Sequence, residues 1–261
     1  MRRLLAILML LLLATPLRAQ PVDVSDVLSI EVLPGWRTAE GRHLAGLRVR
    51  LQPGWKTYWR SAGAAGIAPR MDWRGSRGAR SVTPLWPRPT LFGPAEARSI
   101  GYTSDFVLPL EIVAATSGPV ELSGVLDLGV CADICLPARV TVRAELPAAG
   151  RHDPAIANAL ANRPRRVDAP ARCTLRQGTG GLVLAGEIDV APQGQTEAVV
   201  FELPDPAVWI TDADVTRRGA RLQARAEVIA SDRAGLSVDR SRLRITVIGE
   251  RGAVEILGCT G

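Results

Sequence analysis

The chain has 261 residues, 47% of them hydrophobic and 22% charged, with 25 Gly, 19 Pro and 4 Cys, a composition that builds one large core or two smaller ones and excludes a disordered tail. The formal charge of +6 does not mark a nucleic-acid binder. Arg2, Arg3 and Arg18 lie in a leader that holds no acid, which leaves +3, and the other arginines are scattered among carboxylates without forming a phosphate-tracking face.

Residues 1–19 read as a secretory signal peptide: basic Arg2 and Arg3, an apolar run from Leu4 to Ala14, and a small residue, Ala19, suited to cleavage. The apolar run is too short for a hydrocarbon layer of ~30 Å, which takes ~20 residues, and no longer one follows. The expectation is an exported, periplasmic bacterial protein with no stable membrane insertion. No Cys follows the cleavage region to carry a lipid anchor.

Alternating apolar runs then succeed one another at 27–32, 44–51, 106–113, 120–128 and 138–146, with Pro and Gly in most gaps. This is the strand period of a β-sandwich. Nine of the eleven aromatic residues fall between Trp36 and Phe106, so the two halves of the chain need differently built cores. Trp55, Tyr58, Trp59, Trp73 and Trp86 either fill the first core or line a partner groove. If Tyr58 and Trp59 share a strand, one faces in and the other out.

Asp153-Pro154 followed by an alanine-rich segment predicts a short helix ended by Pro164. Beside it, Arg163-Pro164-Arg165-Arg166 reads as solvated linker charge. Further strand-like runs follow at 181–186, 198–203, 220–228, 243–247 and 253–257. The fold class is therefore all-β: a first sandwich over 20–148, a linker with a short helix over 149–167, and a second sandwich over 168–261.

The four cysteines separate by spacing. An oxidising compartment favours disulfides, and only the pairing 131–135 with 173–259 keeps each bridge inside a domain. A bridge across ~87 residues restricts the unfolded chain by about 4–5 kcal/mol, against about 2 for one across ~5 residues. Cys173 and Cys259 thus read as a structural disulfide that ties both ends of the second sandwich.

Cys131 and Cys135 read differently. In an extended strand their Cα atoms would lie ~13 Å apart, so the segment must turn or bulge to bring the sulfurs together. A bridge that adds little stability and stands accessible is the labile kind that thiol–disulfide exchange uses. Asp133 between them raises a neighbouring thiol's pKa by its charge and makes activation by a partner useful. Two other roles stay open on spacing alone: a turn-stapling bridge in a non-catalytic scaffold, and a Cu(I) or copper-tolerance site on the two thiolates. His43 and His152 are not at ligand spacing from the pair and no C-x2-C accompanies it, so no zinc site and no other cofactor is expected.

The residues around the pair resemble a family. Gly54-Trp55-Lys56-Thr57-Tyr58-Trp59-Arg60, Gly63-Ala64-Ala65-Gly66-Ile67-Ala68-Pro69, Trp73, Trp86-Pro87-Arg88-Pro89, Gly101-Tyr102, Val107-Leu108-Pro109-Leu110 and Cys131-Ala132-Asp133-Ile134-Cys135-Leu136-Pro137 are similar to the amino-terminal periplasmic domain of DsbD- and ScsB-type thiol–disulfide interchange proteins. The similarity covers about residues 25–145, and the second sandwich looks like that of the ScsB-like branch. The resemblance implies immunoglobulin-like sandwiches. It also implies a protein-disulfide reductase type of oxidoreductase in which Cys131 and Cys135 are the redox pair and Cys135 forms the mixed disulfide. An aromatic-bearing cap loop is implied too, with Phe92 or Tyr102 as its aromatic or as a partner contact. The implied partners are a thioredoxin-like or membrane thiol–disulfide electron donor and extracytoplasmic disulfide-bearing protein substrates. The family's larger members carry membrane and thioredoxin domains that are not found in these 261 residues, so the donor is expected to be a separate molecule.

Overall fold

The computed structural model describes residues 22–94, 97–178, 181–205, 207–230 and 238–261. The expected leader, 1–19, lies outside the described residues. A short helix α1 (Val24–Val27) leads into β1 (Leu28–Arg37), β2 (Arg42–Leu51), β3 (Lys56–Gly63), β4 (Arg70–Asp72), β5 (Ala79–Pro84), β6 (Thr90–Phe92), β7 (Ser99–Tyr102), β8 (Phe106–Ala114), β9 (Val120–Cys131) and β10 (Cys135–Leu146). These strands form two sheets, ordered β1-β2-β8-β5 and β10-β9-β3-β7-β6, with β4 against β9. Alternation in the sequence becomes alternation in burial. Leu47 and Val49 of β2 and Leu108, Leu110 and Ile112 of β8 meet Leu122, Leu126, Leu128 and Val130 of β9 in one core.

The predicted helix is α2 (Pro154–Ala161), and it is not a free linker. The Asp153 side chain accepts hydrogen bonds from the backbone N–H groups of Ala155 and Ile156 at 2.8 and 3.3 Å, capping its start. Ile156 is fully buried over Gly46 of β2, where an added Cβ would stand 2.9 Å from Ile156 Cγ1. Burial of one isoleucine stabilises by ~1.5–3 kcal/mol, enough to bias a two-turn helix toward the sheet.

The chain continues as β11 (Arg165–Arg166), β12 (Ala171–Gln177), β13 (Leu182–Asp189), β14 (Glu197–Glu202), β15 (Val208–Ile210), β16 (Asp214–Arg218), β17 (Arg221–Ala230), β18 (Arg244–Gly249) and β19 (Ala253–Leu257). The sheets are β11-β19-β18-β14 and β12-β13-β17-β15, with β16 also on β17. Arg165 and Arg166 are exposed, as charged linker residues would be, yet they extend the second sandwich by pairing parallel with β19. Cys173 in β12 is bonded to Cys259 beyond β19, with Cα atoms 5.7 Å apart, so this disulfide joins the two sheets of the second sandwich. Its core is aliphatic apart from Phe201 and Cys173.

The two sandwiches share a buried apolar cluster. Trp59, Ile100 and Tyr102 of the first pack with Val200, Ile248 and Ala253 of the second. Beside it the Arg60 guanidinium donates to both carboxylate oxygens of Glu202 at 2.8 Å and to Glu255 at 3.4 Å, and lies 3.8 Å from the centre of the Trp59 ring. The strand that carries these contacts, β3, also runs beside the cysteine hairpin.

Candidate functional site

β9 and β10 stay in unbroken antiparallel register from Val120↔Leu146 to Cys131↔Cys135. The turn required by the sequence is therefore a hairpin loop of Ala132, Asp133 and Ile134, which sets the two cysteines directly opposite each other. They are disulfide-bonded, with Cα atoms 4.1 Å apart, close to the narrow, non-hydrogen-bonded pair of an antiparallel ladder.

Side-chain parity decides what surrounds them. Leu126, Leu128 and Val130 of β9 enter the core, so Asp127, Gly129 and Cys131 face outward. β3 pairs with this end of β9 as Lys56↔Cys131 and Thr57↔Val130, which puts Lys56 and Tyr58 on the cysteine face. The Tyr58 ring crosses Gly129, where an added Cβ would lie 3.1 Å from Tyr58 Cε2 and 2.7 Å from Ile67 Cβ. From there its hydroxyl donates to Cys131 Sγ at 2.9 Å and stands 3.9 Å from Cys135 Sγ. Burial pushes the Tyr58 phenol pKa up, which keeps the proton on the oxygen and the group a donor.

Tyr58, Ala62 and Cys131 form a small buried cluster on which Phe92 packs, with the Tyr58 and Phe92 rings 6.1 Å apart. The two cysteines differ in access: Cys131 is 4% exposed, whereas Cys135 is exposed. Ile134 and Ile67, 56% and 45% exposed, place apolar surface around the open sulfur, and Asp133 lies exposed in the hairpin loop.

The two aromatic residues proposed for a cap part company. Phe92 pairs with Ser99 and packs at the disulfide. Tyr102 pairs with Thr57 and shares its inward parity. It is buried, stacks on Phe106 at 3.7 Å and donates to the Pro87 carbonyl at 2.9 Å, within the cluster shared with the second sandwich. The structure takes Tyr102 away from the disulfide because the neighbouring strand turns it to the other face. Tyr58 and Trp59 do point to opposite faces, but neither is free. Tyr58 is spent on the disulfide, and Trp59, fully buried, on the second sandwich.

The role of Tyr58 was not singled out in the sequence. Its signal was there in two pieces: a tyrosine within the Gly54–Arg60 motif and a glycine two residues before Cys131, which only the β3–β9 register brings together. Among the described residues no group of three or more His, Cys, Asp or Glu is placed to hold a metal ion, so a Cu(I) site would rest on the two thiolates alone.

Residues 26–147 match the family described as thiol:disulfide interchange protein DsbD, N-terminal. The crystal structure of the N-terminal periplasmic domain of ScsB from Proteus mirabilis superposes with a TM-score of 0.66 at 21% identity, covering 93% of this chain and 96% of that one. The likeness therefore extends through the fold of both sandwiches. No curated protein sequence matches the chain significantly.

Proposed function

We propose that the chain, whose residues 26–147 match the family described as thiol:disulfide interchange protein DsbD, N-terminal, is an exported periplasmic carrier of reducing equivalents. It takes two electrons from a separate thioredoxin-like or membrane dithiol and passes them to disulfide-bearing extracytoplasmic proteins through Cys131 and Cys135. The observation that carries this reading is the unequal exposure of the two cysteines within one cross-strand disulfide.

Attack is directed to the open sulfur. The donor's thiolate bonds to Cys135 Sγ, the Cys131–Cys135 bond breaks, and its electron pair stays on Cys131 Sγ as a thiolate that the Tyr58 hydroxyl hydrogen-bonds. The donor's second thiolate then attacks its own sulfur in the mixed disulfide and releases Cys135. In the second half the Cys135 thiolate attacks a substrate disulfide, and Cys131 resolves the mixed disulfide, releasing substrate as a dithiol. Phe92 packed over the buried side of the pair limits reaction with small disulfides until a partner displaces it. The Cys173–Cys259 bridge lies in the other sandwich's core and serves stability.

Trapping tests this directly. Cys131→Ala, in a periplasmic extract or with a thioredoxin-like donor, should accumulate mixed disulfides at Cys135, while Cys135→Ala should accumulate almost none. Equal trapping by the two variants, or by neither, would refute the proposal.

A further inference from the structure

The strand register gives Cys131 two neighbours, not one. Cys131 belongs to the middle strand of three; Cys135 lies opposite it on β10 and Lys56 opposite it on β3. Directly opposed residues in an antiparallel pair present their side chains to the same face with Cβ atoms ~4.5–5.5 Å apart. The contact of Tyr58, two residues along β3, with Cys131 Sγ fixes which face that is. Lys56 is the only lysine of the chain, half-buried on a strand whose other basic residue, Arg60, is engaged by Glu202 and Glu255.

From this row of residues, and resting on the exchange role given to the cysteine pair, we infer that Lys56 is the electrostatic partner of the Cys131 thiolate. When a donor thiolate bonds to Cys135 Sγ, the electron pair of the broken bond stays on Cys131 Sγ, a sulfur largely closed to water. A negative charge generated there needs a compensating charge as well as the Tyr58 hydrogen bond. A leaving thiol of lower pKa also leaves faster. Lys56 supplies the positive charge from the side opposite Cys135, where it does not obstruct the incoming partner.

The other ionisable groups of this face do not take its place. Asp133 in the hairpin loop has the wrong sign, the Tyr58 phenol is neutral, and Asp127 and Arg139 neutralise each other at 2.6 Å. β6 brings no ionisable residue, and β7 brings only Tyr102, a buried phenol turned to the other face. The attraction exists only once the Cys131 sulfur carries a negative charge.

The test reads thiol acidity in the reduced protein with no partner present. Cysteine labelled with 13C at Cβ gives each thiol its own NMR titration, so Cys131 is followed apart from Cys135, Cys173 and Cys259. Lys56→Met should weaken acid dissociation of Cys131 by about threefold to tenfold, and Lys56→Arg should restore it. A Cys131 titration unchanged in Lys56→Met, or shifted as far in Lys56→Arg, overturns the inference. Failure of mixed-disulfide trapping with this shift intact would instead remove the exchange role and leave the charge pair standing.

Discussion

The Tyr58 hydroxyl donates a hydrogen bond to Cys131 Sγ at 2.9 Å, reaching the buried sulfur across Gly129. In the proposed exchange the contact is to the cysteine that leaves, not to the one that is attacked. In the disulfide it is a weak hydrogen bond to a neutral sulfur, and on reduction it becomes a charge-assisted bond to a thiolate.

Tyr58→Phe separates that bond from packing, because the ring that covers Cys131 and meets Phe92 remains. A hydrogen bond to a charged group is worth ~1.5–3 kcal/mol, so reduction of the 131–135 bridge by dithiothreitol at pH 7 should slow by about tenfold or more. The unfolding midpoint should change little. Stopped-flow quenching with mass readout measures the rate, and wild-type reduction kinetics in the variant would show the hydroxyl to be a spectator.

Removing the second disulfide should do the opposite: lower stability and leave the chemistry alone. Cys173 and Cys259 are 86 residues apart, and closing a loop of that length restricts the unfolded chain by about 4–5 kcal/mol. The double variant Cys173→Ala with Cys259→Ala should therefore lose about 3–5 kcal/mol in urea denaturation, with unchanged reduction kinetics at Cys131–Cys135. A parallel loss of exchange rate would mean that this bridge takes part in electron transfer.

Much of this arrangement is legible in the residues, and the unreadable parts share a cause. β10, β17 and most of β9 alternate because each has one face in a core, so period two marks them. β3 does not alternate. Thr57, Tyr58 and Trp59 are all buried, since one face lies in the sandwich and against the second domain while the other is covered by the site itself. The short strands β6 and β7 leave too few residues for any period. Phe92 and Tyr102 were equivalent on composition; only pairing with β7 and β3 sends one outward and the other inward. Lys56 and Tyr58 depend on a register between strands some seventy residues apart, which a single sequence does not display.

Arg60 should hold the two sandwiches together. Its side chain is 16% exposed and those of Glu202 and Glu255 are 21% and 12% exposed. Glu255 keeps Arg166 and Arg244 within 3.2 and 3.5 Å, so Arg60→Met strands chiefly Glu202. Breaking a fully buried pair costs ~3–5 kcal/mol; partial solvent access reduces this to about 2–3 kcal/mol. Because the lost contact joins two cores, denaturation followed by tryptophan fluorescence and by far-UV circular dichroism should split into two transitions. Coincident transitions at the wild-type midpoint would show that the apolar cluster around Trp59 suffices.

Acid should weaken the first sandwich through His43. This residue of β2 is fully buried, its Nε2 lies 2.6 Å from the Pro34 carbonyl oxygen and so carries the proton and donates, and Nδ1 has no hydrogen-bond partner among the described residues. Protonating Nδ1 would bury a charged, unpaired N–H; burial first, and then the charge of Arg37, hold its pKa below 6.5 in opposition to the Pro34 hydrogen bond. The unfolded chain takes up this proton near pH 6.5 while the folded chain resists it. The stabilising contribution is therefore complete above pH 6.5 and is lost as pH falls from there to the folded pKa. His43→Gln keeps a donor for Pro34 and removes the titration, at some cost in packing at every pH. Between pH 7 and pH 5 the wild type should lose more Tm than the variant, at about 2–4 °C per kcal/mol for a chain of this size. The difference between the two proteins cancels every ionisation they share, so curves that fall in parallel would exclude His43 as the acid-sensitive group.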